Sequence, residues 1–126
     1  MDPRRDDVRL ALVALAVALA GTAVAAEKAK SKSKSLYGAI AYEQASGSVG
    51  WATDRPTSRE ARTEALNQCN RDACVVVATV SRECAALAAG PKKFATQKGA
   101  TQKEAETKAL GRCGSGCKVS AWVCTR

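Results

Sequence analysis

The stretch 57–69, TSREARTEALNQC, returns at 101–113 as TQKEAETKALGRC, 44 positions later. Seven of the 13 aligned positions are identical: Thr57/Thr101, Glu60/Glu104, Ala61/Ala105, Thr63/Thr107, Ala65/Ala109, Leu66/Leu110 and Cys69/Cys113. Both copies open with T-x-x-E. A threonine there accepts a hydrogen bond from the backbone N–H three residues on, and the glutamate reaches back, so each copy carries the start signal of a helix. Behind the caps, Ala61, Ala65, Leu66 and Cys69, and likewise Ala105, Ala109, Leu110 and Cys113, form one narrow apolar stripe per helix. Small side chains on that stripe suit a helix lying on a sheet. Arg59, Arg62, Lys103 and Lys108 fall on the other faces, which read as solvated.

The flanking segments repeat too. Before the first helix, LYGAIAYEQASGSVGWATD holds two short candidate strands around a Gly/Ser turn, a hairpin signal. After it, CVVVATV is short and β-branched, as a buried strand is. In the second unit CAALAAGPKKFATQ takes the place of the hairpin, with Gly90-Pro91 at its turn, and CKVSAWVC takes the place of the last strand. Val119, Ala121 and Val123 there match Val76, Ala78 and Val80. The order is β-β-α-β twice, over about 36–83 and about 84–126. The expected fold is an α+β domain of two repeats sharing a largely antiparallel sheet, with the two helices packed on it.

The chain begins with MDPRRDDVR and then LALVALAVALAGTAVAA, an apolar run shorter and richer in alanine than a bilayer span of about 20 residues requires. Ala23-Val24-Ala25 fits the small-residue exit of a secretory signal peptide over 1–25. The alternative is an uncleaved anchor. Arg4, Arg5 and Arg9 are offset by Asp2, Asp6 and Asp7, so removing the leader leaves the net charge of +8 unchanged. Residues 26–35, with Lys28, Lys30, Lys32 and Lys34 between Ala and Ser, have no apolar period to bury and read as a disordered basic leader. The expected destination is secreted or periplasmic, and without the signal no membrane segment is expected.

All six cysteines, Cys69, Cys74, Cys84, Cys113, Cys117 and Cys124, lie beyond the leader. In an exported chain whose core is small they read as disulfides. Sequence alone leaves about fifteen connectivities open. If the units are built alike, the symmetric solution is two local bridges, Cys69–Cys74 and Cys113–Cys117, and one long one, Cys84–Cys124. Zinc is the weaker reading, since the spacings are not C-x2-C and the chain holds no histidine.

Composition also narrows the chemistry. Without histidine, Ser-His, Cys-His and most metal-hydrolase schemes are excluded, and paired cysteines offer no thiolate. A carboxylate pair remains, Glu43 with Asp54 across the first hairpin, which makes a carboxylate-dependent hydrolase the last-ranked reading. No catalytic, cofactor or metal residues are assigned. The net charge of +8 attracts acidic partners. Aromatics are few (Tyr37, Tyr42, Trp51, Phe94, Trp122), too thinly interleaved with basic residues for a nucleic-acid stacking surface. The leading expectation is a non-enzymatic module that binds a protein or an anionic envelope or host component, through a surface joining Tyr42 and Trp51 with Arg55, Arg59 and Arg62. A structural envelope protein without a dedicated ligand is the alternative.

Taken in order, YGAIAY, VGW, the T-x-x-E helix ending in cysteine, the cysteine-then-valine strand, CAALA and the closing WVC resemble a bacterial secreted family called domain of unknown function 4189, over about residues 36–126. The resemblance implies an exported, disulfide-bonded module and brings no activity with it. The second hairpin, PKKFATQKG, departs from the glycine-aromatic richness of the first.

Overall fold

Thr57 and Thr101 cap the two helices as their spacing demands. In the computed structural model, which describes residues 35–126, Thr57 Oγ1 accepts from the Glu60 amide at 3.1 Å and Thr101 Oγ1 from the Glu104 amide at 3.1 Å. Glu104 also reaches back, onto the Ala100 amide at 2.8 Å. The expected signal peptide and the lysine-rich leader through Lys34 lie outside the described residues.

The elements are β1 (Tyr37–Glu43), β2 (Ser48–Arg55), α1 (Ser58–Cys69), β3 (Val75–Ser81), β4 (Cys84–Ala89), β5 (Phe94–Gly99), α2 (Gln102–Cys113) and β6 (Lys118–Cys124). This is the α+β order β-β-α-β, twice. The strands, expected in one shared sheet, divide between two antiparallel sheets of three, ordered β2-β1-β3 and β5-β4-β6. Only Arg82 and Glu83 join the sheets, and Arg82 takes the left-handed conformation (φ 60°) to turn the chain between them.

Side-chain alternation along the central strands explains the division. In β1, Ala39 and Ala41 pack with Ala61, Ala65 and Cys69 of α1, while Ile40 and Tyr42 face the other way. In β4, Ala86 and Ala88 pack with Ala105, Ala109 and Cys113 of α2, while Ala85 and Leu87 face the other way. The opposite faces meet in one apolar layer built on Ile40, Tyr42, Val80, Leu87, Ala121 and Val123. Each sheet thus has a helix outside and its sister sheet inside, and period-two alternation sends small residues out and larger ones in. Burying a side chain such as Ile40 or Leu87 contributes about 1.5–3 kcal/mol relative to exposing it.

Small residues let the helices sit close. A Cβ on Gly50 would fall 2.1 Å from the Ala65 carbonyl oxygen and 2.3 Å from the Cys69 nitrogen, so α1 rests directly on the backbone of β2. Leu66, expected on the buried stripe, is 36% exposed. At about 100° per residue it falls about 60° past Cys69, on the margin of the stripe that Ala61, Ala65 and Cys69 bury.

The three bridges are Cys69–Cys74, Cys113–Cys117 and Cys84–Cys124, with no cysteine left free. The first two fasten each helix end to the strand that follows. The third links directly paired positions of β4 and β6. At the end of the domain, buried Thr125 accepts from the Arg82 amide at 2.9 Å and donates its own amide to the Glu83 carbonyl at 3.0 Å, clasping the linker. The Leu36 amide meets the Arg126 carbonyl oxygen at 3.4 Å. Among the described residues, no helix is long and apolar enough to cross a membrane.

Candidate binding surface

Tyr42, expected at the surface beside Trp51, is buried at 4% exposure. It stands on the inner face of β1, where its ring meets Phe94 edge-on with centroids 5.1 Å apart. A strand covered on both faces has no solvent side to offer a tyrosine. Trp51 does stand in solvent, 48% exposed.

The arginines do not join it in one patch. Arg55, at the end of β2, pairs with Glu64 of α1. With Arg59, Glu60, Thr63, Glu64 and Asn67 it lines a shallow hollow of about 310 Å³ in which two acids offset two bases. Arg55 Nε is buried there without a hydrogen-bond partner among the described residues. Arg62 turns along its own helix, donating to Ser58 Oγ at 2.7 Å. The carboxylate pair also dissolves. Glu43 sits at the turn, opposite Ser48 and accepting from Ser46 Oγ, whereas Asp54 is at the far end of the hairpin, where Tyr37 pairs with Arg55.

Trp51 instead meets residues from the second repeat. It lines a hollow of about 290 Å³ with Thr53, Ser120, Ala121 and Trp122. Trp122 is 44% exposed. The hollow lies where β2, an edge of one sheet, passes β6, an edge of the other. Trp51 pairs with Ile40 and so stands on the face of its sheet that looks toward the other sheet, at the rim where the apolar layer opens to solvent. Among the described residues this is the place where two large, half-exposed aromatics share one concavity. Trp122 was legible in one respect: between inward-facing Ala121 and Val123, alternation turns it away from the inter-sheet layer.

The opposite mouth, between β3 and β5, shows what the duplication has changed. Ile40 pairs with Trp51 and Ala78, and Leu87 with Thr96 and Ala121. Trp51 therefore corresponds to Thr96, and Ala121 to Ala78. β3 and β6 carry a bulge at the same place, opposite the step from Ile40 to Ala41 in one sheet and from Leu87 to Ala88 in the other, which matches Val77 with Ser120 as the extra residues. In the β3/β5 mouth Thr96 Oγ1 donates to the Val77 carbonyl at 3.3 Å, a cross-sheet clasp. In the β2/β6 mouth an indole stands at the position where Thr96 has its hydroxyl.

The six cysteines are all committed to bridges, and among the described residues no cluster of His, Cys, Asp and Glu is arranged to hold a metal ion. Residues 37–124 match the model of a family described as Domain of unknown function (DUF4189). Among solved structures, the NMR structure of Rv1813c from Mycobacterium tuberculosis is similar, at 34% sequence identity and a TM-score of 0.59, covering 71% of this chain and 74% of that one. No curated protein matches the chain.

Proposed function

The chain belongs to the DUF4189 family, whose description carries no activity, and from its own surface we propose that it is an exported, non-enzymatic module that binds a protein partner at the Trp51/Trp122 hollow. The observation that carries the reading is that two half-exposed tryptophans, from different repeats, line one hollow. Tryptophan in a pocket that excludes water on binding is the commonest kind of interface anchor, because it buries a large rigid surface at small entropic cost. Thr53 and Ser120 at the same rim supply hydroxyls for orientation. The net charge of +8 favours encounter with acidic partners without specifying one.

Binding rather than catalysis is supported by the chemistry on hand. The chain has no histidine, its cysteines are bridged, and the one carboxylate pair that spacing suggested is separated along the hairpin. Export is supported by three bridges in a domain this small, a pattern of oxidising compartments.

The test is affinity capture from cell envelope and culture fluid at low and high salt, with wild type and with Trp51→Ala/Trp122→Ala. The expected result is a saturable protein partner that survives salt with wild type and is lost with the double variant. Capture that survives the double variant, or that salt alone abolishes in the wild type, would overturn the reading, because purely ionic attraction is screened.

A further inference from the structure

Of the four edge strands among the described residues, β3 is the one without a charged side chain: VVVATVS, against DR at the end of β2, Lys98 in β5 and Lys118 in β6. Edges are ordinarily blunted by lysine, proline, inward-pointing charge or a bulge, because their unpaired N–H and C=O groups template another strand, and of these β3 carries only the bulge at Val77. Val75 is 57% exposed, and Val76 to Thr79 are half-buried. The edge is also furrowed. Three adjoining hollows run beside it, one along Val76–Thr79, one continuing past Val77 and Ala78 to Thr96 and Lys108, and one past Thr79 to Ser81, and Lys98 lines all three.

We propose that the β3 edge is a second binding site, which takes an extended acidic polypeptide segment of about seven residues as an added antiparallel strand. Backbone hydrogen bonds to β3 on either side of the bulged Val77, whose carbonyl already accepts from Thr96 Oγ1, supply the pairing. Alternate apolar side chains of the guest lie along the valine edge, and its acidic side chains meet Lys98 and Lys108. Lys98 is held beside the edge by Glu83, at 3.4 Å, and Lys108 by the Lys98 carbonyl, at 2.9 Å, and by Glu104, at 3.7 Å. Both ion pairs are solvent-exposed, so an incoming carboxylate can replace or share the existing one at little cost. Charge selects the guest. A second copy of this chain would bring +8 against +8 and set two lysine-flanked edges side by side, whereas an acidic segment is complementary. The site is independent of the tryptophan hollow, which opens at the other mouth.

The probe is a blocked seven-residue peptide alternating valine and glutamate, with the same peptide carrying lysine for glutamate as control, titrated into the isotopically labelled full-length exported protein. The expected result is perturbation of β3 amides, slower exchange of its outward amides by at least tenfold at saturation, and no binding of the lysine peptide. Lys98→Glu/Lys108→Glu should weaken binding at least tenfold, with retained amide dispersion showing that the fold is intact. Lys98→Gln/Lys108→Gln serves the same purpose should the reversal disturb it. Perturbation centred on Trp51 and Trp122, equal binding of the lysine peptide, indifference to both double variants, or dimerisation through β3 in the absence of peptide would overturn the proposal.

Discussion

Removing the Cys84–Cys124 bridge should cost more than removing Cys113–Cys117, and the structure fixes by how much. The two bridges are otherwise well matched, since each has one buried sulfur partner and one half-buried, so the loss of packing on Cys→Ala replacement is similar. They differ in the loop they close, with separations of 40 and 4 residues. On the chain-entropy model the long loop restricts the unfolded state by about 4 kcal/mol and the short one by about 2. The difference of about 2 kcal/mol is a large share of the stability of a domain this size. Urea unfolding of Cys84→Ala/Cys124→Ala and Cys113→Ala/Cys117→Ala measures it. With a slope of about 1–2 kcal/mol/M, the midpoint of the first should lie about 1–2 M below that of the second. Coincident midpoints, or the reverse order, would refute the argument that the long bridge acts chiefly on the unfolded chain.

Gly50→Ala should destabilise by at least about 2 kcal/mol, read as a lowered thermal midpoint, because the added Cβ would overlap the Ala65 carbonyl and α1 cannot withdraw without leaving its sheet. Tyr42→Ala should cost about 3–5 kcal/mol in denaturant unfolding, as a core truncation does; by contrast Trp51→Ala, at the rim, should cost less than about 1 kcal/mol. Thr101→Ala should cost about 1 kcal/mol in the same assay through the lost cap on Glu104.

What the sequence disclosed and what it withheld divide along the range of the interactions. The caps at Thr57 and Thr101, the helix ends at Cys69 and Cys113 and the strands around them are local, and each is where its spacing puts it. The bridges followed from duplication, a symmetry argument that needs no coordinates. The number of sheets did not follow, although a signal was present. YGAIAY and CAALAA contain no charged residue and no polar alternation, as central strands covered on both faces should. Tyr42 lies in such a strand and is buried with it, not at the surface. The bulges were invisible, since nothing in VVVATV or KVSAWV marks the extra residue. Yet Val76 packs on the helix side while Val77 and Ala78 both face the inter-sheet layer, so simple alternation across Val76, Ala78 and Val80 fails. The partnership of Trp51 with Trp122 depends on which edges of two separate sheets pass each other, a relation no linear spacing encodes.

The meeting of Leu36 with Arg126 makes the domain nearly a closed ring, whose two halves the chain itself connects through Arg82 and Glu83. A gene rewritten to start at Glu83, run to Arg126, cross a short glycine linker to Leu36 and end at Arg82 would encode the halves in exchanged order while leaving every strand pairing and every bridge in place. The Cys84–Cys124 bridge would then lie wholly within the leading half. Such a circular permutant should fold oxidatively to the same three bridges, and the order in which the halves are synthesised would become a variable that can be set by hand.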